Sequence, residues 1–137
     1  MFRTLDISAS GLMAQRLRMD TIAGNIAQSN TTVNEEGKVA PFQRRLVTFQ
    51  AQQESSSQPA GGLAVEAQVD LDTQTPFRKV HQPGHPHADA DGNVTLPNVN
   101  TITEFVNAIE AGRSYEANLS TMEITKGMIQ GAFKLLG

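Results

Sequence analysis

The stretch TITEFVNAIEAGRSYEANLSTMEITKGMIQGAFKLLG, Thr101 to Gly137, decides the fold. Thr101 and Glu104 stand at the S/T-x-x-E spacing of a capping box, in which each side chain satisfies an orphan backbone N–H, so a helix is expected to open here. Phe105, Ala108, Gly112, Tyr115, Leu119, Met122, Lys126, Ile129, Phe133 and Leu136 then follow at alternating three- and four-residue steps, the spacing of a coiled-coil seam. No proline follows Pro97. The helix can therefore run to the C-terminus, a rod of about 50 Å at 1.5 Å per residue that needs a partner along its length.

The other end of the chain supplies one. Leu5, Ala9, Leu12, Arg16, Met19, Ala23, Ile26 and Asn30 repeat the same steps, with Leu5, Leu12, Met19 and Ile26 on one heptad position. The two ends are expected to pair as a helical hairpin. Each also carries a second apolar line: Ala117, Ile124, Met128, Gly131 and Leu135 on the C-terminal helix, Ile7, Met13 and Leu17 on the N-terminal one. A helix apolar on several sides is normally covered on several sides. This chain has too few other elements to do so, and other molecules are the natural cover. Arg16 and Lys126 interrupt the two seams, either fixing register at some cost in stability or reaching out to solvent along their apolar stems. Gly112, which costs about 1 kcal/mol relative to alanine inside a helix, suggests a close helix approach on the seam. Ser8, Ala9, Ser10 and Gly11 permit a similar approach near the start, where Thr4 is a candidate N-cap and Asp6 suits the positive end of the dipole.

Composition narrows the function. The 137 residues hold 11 basic and 14 acidic side chains, with no basic run interleaved with aromatics, which argues against a nucleic-acid partner. There is no cysteine, so disulfides and thiol catalysis are excluded. No window approaches the 18 apolar residues of a membrane span, and Arg3, Asp6, Arg16, Arg18 and Asp20 interrupt what a signal peptide would need at the N-terminus. No direct membrane span and no cleaved leader are expected.

Between the helices the period changes. Pro41 to Gln50 alternates as a strand with Val47 and Phe49 turned inward, and Leu63 to Asp72 alternates with Glu66, Gln68, Asp70 and Asp72 on its polar face. Residues 52–62, QQESSSQPAGG, read as a flexible loop between them, making a hairpin. Pro76 to Val80 is expected to be extended, and Asn93 to Leu96, bounded by Gly92 and Pro97, to be a further short strand. Asn34 to Gly37 reads as a turn after a first helix that ends near Asn30. The expected organisation is α+β: an N-terminal helix over 1–32, a β-rich middle over 33–100 and a C-terminal helix over 101–137, the two helices forming one α domain. A two-stranded hairpin is marginal alone, so the middle should lean on the helices or on neighbours.

One segment offers metal-ligand chemistry. His85, His87, Asp89 and Asp91 alternate through His85-Pro86-His87-Ala88-Asp89-Ala90-Asp91-Gly92, but the distal glutamate of a calcium-binding loop is absent, and a surface turn explains the same residues. No nucleophile and base are paired by any motif. No catalytic, metal or cofactor site is assigned, and no enzyme activity is expected. Three Asn-x-Ser/Thr sites, at Asn30, Asn93 and Asn118, have no signal peptide to bring them to glycosylation.

The segments Leu5 to Leu12 (LDISASGL), Ala14-Gln15-Arg16 and Asn25 to Thr31 (NIAQSNT) resemble the N-terminal signature of bacterial flagellar rod and hook proteins. Pro83-Gly84-His85-Pro86, Ala88-Asp89, Pro97-Asn98-Val99-Asn100 and Arg113-Ser114-Tyr115-Glu116-Ala117-Asn118 extend the likeness over nearly the whole chain. The motif residues are Asn25, Asn30, Pro83, Gly84, Asn98, Arg113, Tyr115 and Asn118. The resemblance implies a structural axial subunit of the basal-body rod, exported through the flagellar type III apparatus and transmitting torque across the periplasm. Its implied partners are copies of itself, other rod proteins, the membrane-embedded basal-body ring and export gate, and the bushing around the rod. Leu5, Leu12, Met19, Ile26, Phe105, Tyr115, Leu119, Met122, Ile124, Met128, Ile129, Phe133, Leu135 and Leu136 are then the assembly-interface candidates. The residues alone also admit a cytoplasmic helical-hairpin adaptor or chaperone-like module gripping a partner helix.

Overall fold

The computed structural model describes residues 2–34, 36–52 and 63–136. Six elements follow one another: α1 (Phe2–Ala27), β1 (Arg45–Ala51), β2 (Val65–Leu71), β3 (Arg78–His81), β4 (Asn93–Leu96) and α2 (Thr101–Leu136). The loop expected over 52–62 lies, apart from Gln52, outside the described residues. The class is α+β, with two long helices and two small antiparallel hairpins between them.

The helices run antiparallel. Asn25 meets Glu104, Arg18 meets Glu110, and Gly11 faces Asn118. Within the helix pair Gly11 is where a side chain is least welcome: a Cβ there would stand 3.2 Å from the Asn118 amide nitrogen. The close approach anticipated among the small residues of α1 occurs at this point. At Gly112 a Cβ would meet nothing within 4 Å. The expectation of a tight contact there is incorrect, because α2 turns Gly112 to the edge of the seam. Gly112→Ala is therefore expected to stabilise the isolated chain by up to about 1 kcal/mol through helix propensity, read as a higher urea midpoint with an unchanged slope.

The seam itself is rotated from the expected one. Ala108, Tyr115, Met122 and Ile129 line it as anticipated, half-buried or buried, but the alternating positions are Glu104, Ala111, Asn118, Thr125 and Ala132, each one residue before Phe105, Gly112, Leu119, Lys126 and Phe133. Phe105, Leu119 and Phe133 are exposed. On α1 the buried positions are Ala14, Ile22, Asn25 and Ser29, while Leu5, Leu12, Met19 and Ile26 are only half-buried on its flank and Ala23 and Asn30 are exposed. The two choices of seam share every second contact position, so periodicity alone does not separate them. Small and polar side chains fill the alternating positions of the observed seam beside Tyr115, Met122 and Ile129, and Phe105, Leu119 and Phe133 are left over.

α1 begins at Phe2, which puts Thr4 inside the helix and not at its N-cap. It ends at Ala27, three residues before Asn30, in a tightened turn in which Ser29 N–H donates to the Ile26 carbonyl. Gly37, with φ at +75°, then allows the chain to fold back so that Val33 bridges Val39. β1 and β2 pair in register Val47 to Val69 and Phe49 to Ala67, on the face where Val47 and Ala67 are half-buried. Phe49 is only partly covered, at 37% exposure. The hairpin is tied to α1 where Val65 N–H donates to Ser10 Oγ. Asp72, expected on the exposed polar face, lies just past β2 and is buried. β3 pairs with β4 as a separate hairpin, anchored by buried Val94.

The resulting core is small. Among the described residues the buried apolar side chains include Ala14, Ile22, Val94, Val99, Ala111 and Ile129. The accessible surface is 9599 Å², where a globular chain of 14.8 kDa exposes roughly 7,000 Å².

Candidate assembly site

Among the described residues the largest fully buried side chain is a charged one. Glu104, in the first turn of α2, is 1% exposed. Its carboxylate accepts from Arg44 Nη2 at 2.6 Å, Arg44 Nε at 2.9 Å and Asn25 Nδ2 at 3.0 Å. The expected capping box does not form, because Glu104 turns inward instead of back along the helix. Asn100 is the N-cap: its Oδ1 accepts from Ile102 and Thr103 N–H, and its carbonyl accepts from Glu104 N–H.

Around Glu104 the polar groups interlock. Asn25 donates to the Arg45 carbonyl at 2.8 Å and accepts from Arg45 N–H at 2.9 Å, gripping the first residue of β1 like a strand partner. Asn98 accepts from Arg44 N–H and donates to the carbonyls of Asp72 and Thr75. Arg44 also reaches Asp72 at 3.4 Å. Five side chains from four segments thus form one knot that locks the end of α1, the start of β1, the turn after β2 and the start of α2. Buried carboxylates are tolerable only when hydrogen-bonded and paired in this way.

Asp72 reports on the knot through pH. Hydrogen bonds from Thr75, by its backbone N–H and its hydroxyl, hold the carboxyl below the usual range against the opposing effect of burial; Gln74 N–H and the Arg44 guanidinium lower it further. A carboxyl depressed in the folded state stabilises fully above its unfolded value of about 3.9. That stability is lost as pH falls through the still lower folded value. Acid titration of unfolding should therefore show a loss below about pH 4 that is smaller in Asp72→Asn.

The rest of α2 shows what the knot leaves uncovered. With Glu104 facing inward, Ile102, Val106, Ile109, Ile124, Met128 and Leu135 are exposed, along with Ala117 and Gly131 of the second apolar line. Leu135 is 90% exposed and Ile102 77%. On α1, Met13 is 73% exposed, whereas Ile7 and Leu17 are half-buried. Arg16 and Lys126, the two charges expected on the seams, are both exposed in this chain. Of the motif residues, Asn25 and Asn98 are in the knot and Tyr115 and Asn118 are half-buried, while Asn30, Pro83, Gly84 and Arg113 are exposed. Arg44 and Asp72 carried no signal as a pair in the sequence; the segments that join them to Glu104 meet only in the fold.

The His/Asp segment is a hydrogen-bonded turn. Asp89 Oδ1 accepts from Asp91 and Asn93 N–H, and His85 Nδ1 accepts from His87 N–H. His87 Nδ1 lies 2.9 Å from Thr32 Oγ1, tying the turn to the chain just past α1. Gly92, with φ at +74°, is required, since a Cβ would stand 3.0 Å from the His81 ring. Among the described residues no three His, Cys, Asp or Glu side chains converge as a metal site. Among the described residues no helix is long and apolar enough to cross a membrane.

Two antiparallel terminal helices, locked to each other at one end and with bulky apolar side chains exposed on the outside, define a helical-hairpin protein. Residues 5–34 match the family described as flagella basal body rod protein. Residues 90–135 match the C-terminal family of flagellar basal body rod FlgEFG proteins. The chain is 37% identical to the flagellar basal-body rod protein FlgC of Bacillus subtilis, over 98% of this chain and 97% of that protein. It is 38% identical to FlgC of Aquifex aeolicus, over 97% and 95%, and 40% identical to FlgC of Yersinia enterocolitica, over 90% and 89%. The chain belongs to the FlgC family of flagellar basal-body rod proteins. As such it is a structural subunit of the basal-body rod and assembles with other rod proteins.

Proposed function

We propose that this chain forms part of the tubular drive shaft of the flagellum, α1 and α2 packing against copies of itself and related subunits so that torque passes across the periplasm. The observation that carries the reading is the outward face of α2, where Ile102, Val106, Ile109, Ile124, Met128 and Leu135 are exposed along one long helix. Burying each such side chain is worth roughly 1.5 to 3 kcal/mol, so a lattice that covers several per subunit is strong once begun. The assembly-interface candidates named from the sequence divide under this reading. Tyr115, Met122 and Ile129 hold the subunit's own helices together, whereas Phe105, Leu119, Ile124, Met128, Phe133 and Leu135 meet neighbours. Leu5, Leu12, Met19 and Ile26, half-buried, serve both.

The reading needs no catalysis. Passage through the type III export apparatus, contact with the export gate and ring, and a fit inside the rod bushing belong to the same proposal. The terminal helices act as one unit and the β-rich middle as another joined to it at the knot. Tracing this chain in an image reconstruction of purified basal bodies tests the proposal. The expected result is α1 and α2 in the tube wall with the outward face of α2 covered by neighbouring helices. A chain absent from basal bodies and bound instead to a soluble partner at fixed stoichiometry would overturn it.

A further inference from the structure

The second hairpin is tied to the rest of the molecule by very little. No residue of β3 or β4 has its Cα within 8 Å of α1, α2, β1 or β2. Among the described residues, 76–97 make no ion pair with the remainder of the chain and share a single hydrogen bond with it, that of His87 Nδ1 with the buried Thr32 hydroxyl at 2.9 Å. The two ends of the segment are clamped together by Asn98, which donates to the carbonyls of Asp72 and Thr75. His87 is in turn presented to Thr32 by His85. The His87 backbone N–H donates to His85 Nδ1 at 3.1 Å. A backbone N–H can only donate, so that nitrogen keeps its lone pair, and the His85 ring is neutral with its one proton on Nε2. The two rings meet edge-on with centroids 5.3 Å apart.

We propose that the turn over 82–92 is a proton-operated latch: neutral His85 holds His87 on Thr32 and the second hairpin at the end of α1, and protonated His85 releases both, the hairpin pivoting at Asn98. A proton on His85 Nδ1 sets one donor against another, and a second proton on His87 sets two cations side by side. Nothing around the rings offsets that. Among the described residues no carboxylate comes within ion-pair distance of either one. Residues 28–34, which carry Thr32, hold no charged side chain. Within the turn, Asp89 accepts from Asp91 and Asn93 N–H, and Asp91 is exposed. On β3, His81 bonds to Asn93, while Arg78 and Lys79 are exposed. Only the neutral His85 ring fits the closed turn. The latch is therefore closed at neutral and alkaline pH and opens as pH falls through the range in which histidine side chains take up a proton.

The chain has no cysteine, so Asn30→Cys with Ala90→Cys, both at exposed positions, supplies two unique sites for spin labels on either side of the latch. Pulsed electron resonance on the purified chain is expected to show one narrow distance distribution at about pH 7.5 and the loss of about half of it or more to longer distances at about pH 5.5, with the helix signal in circular dichroism unchanged. His85→Asn puts an oxygen where Nδ1 stands, still accepts from the N–H two residues on and has no proton to gain. Its distribution should stay narrow at both pH values, and that of Thr32→Val should be broad at both. A wild-type distribution that does not change with pH, or one that broadens equally in His85→Asn, overturns the proposal. If His85→Asn fails to fold, nitrogen NMR of the wild-type histidines decides. A bare Nδ1 on His85 at about pH 7.5 that gains its proton as the distribution broadens supports the latch; a proton already on that nitrogen overturns it.

Discussion

Glu104→Ala is expected to cost about 3 kcal/mol or more of folding stability, because removing one partner of a buried pair leaves the other without compensation. Arg44 would keep only the 3.4 Å contact with Asp72, and Asn25 would lose one of its two acceptors. Against a total stability of 5–15 kcal/mol for a typical domain, that is a large share. Urea unfolding of the purified chain measures it. Asn100→Ala, which removes only the helix cap, sets the scale at about 1 kcal/mol. The pair change Arg44→Met with Glu104→Leu should cost less than Glu104→Ala alone, since neither member of that pair is left without the other and Asp72 keeps its hydrogen bonds from Gln74 and Thr75. A loss under 1 kcal/mol in Glu104→Ala would mean that something other than the knot holds the helices in register.

The second large effect is expected to spare the monomer. Ile124, Met128 and Leu135 are 64%, 63% and 90% exposed, so changing all three to glutamine should move unfolding by no more than about 0.5 kcal/mol per site. If neighbours bury these side chains, losing three of them weakens assembly by roughly 4 to 9 kcal/mol, or about three orders of magnitude or more. Incorporation of the variant into basal bodies, measured beside its urea midpoint, separates the two. Unchanged incorporation would show that the outward face of α2 is left to solvent in the rod. The contrast between Glu104 and this trio is the main physical feature of the subunit: a charged side chain is buried at the start of α2, while many of the bulky apolar residues of the same helix are turned outward.

Much of this was legible in the chain. The three-four steps of the two ends marked both helices, and the two-residue alternation of the middle marked the first hairpin; the short strands near Val80 and Val94 were expected, but not that they pair with each other. The second apolar line, Ile124, Met128 and Leu135, was visible as a face that one partner cannot cover. Local backbone periods depend only on neighbouring residues, and those are what a sequence prints.

What only the tertiary structure decided is which way each helix is turned. Phe105, Gly112, Leu119, Lys126 and Phe133 keep the same spacing as Glu104, Ala111, Asn118, Thr125 and Ala132, and hydrophobicity favours the first set. The fold takes the second, because α2 starts beside Arg44 and Asn25 and its glutamate must point at them. That one orientation carries down the helix, brings Ala111, Asn118, Thr125 and Ala132 into the seam and puts Phe105, Leu119 and Phe133 outside. Arg44, Asp72, Asn98, Asn25 and Glu104 are scattered over 80 residues, and a charge pair formed across such distances leaves no periodic trace. The chain's own letters specify the elements; the burial of a single carboxylate, settled only when four segments meet, specifies their faces.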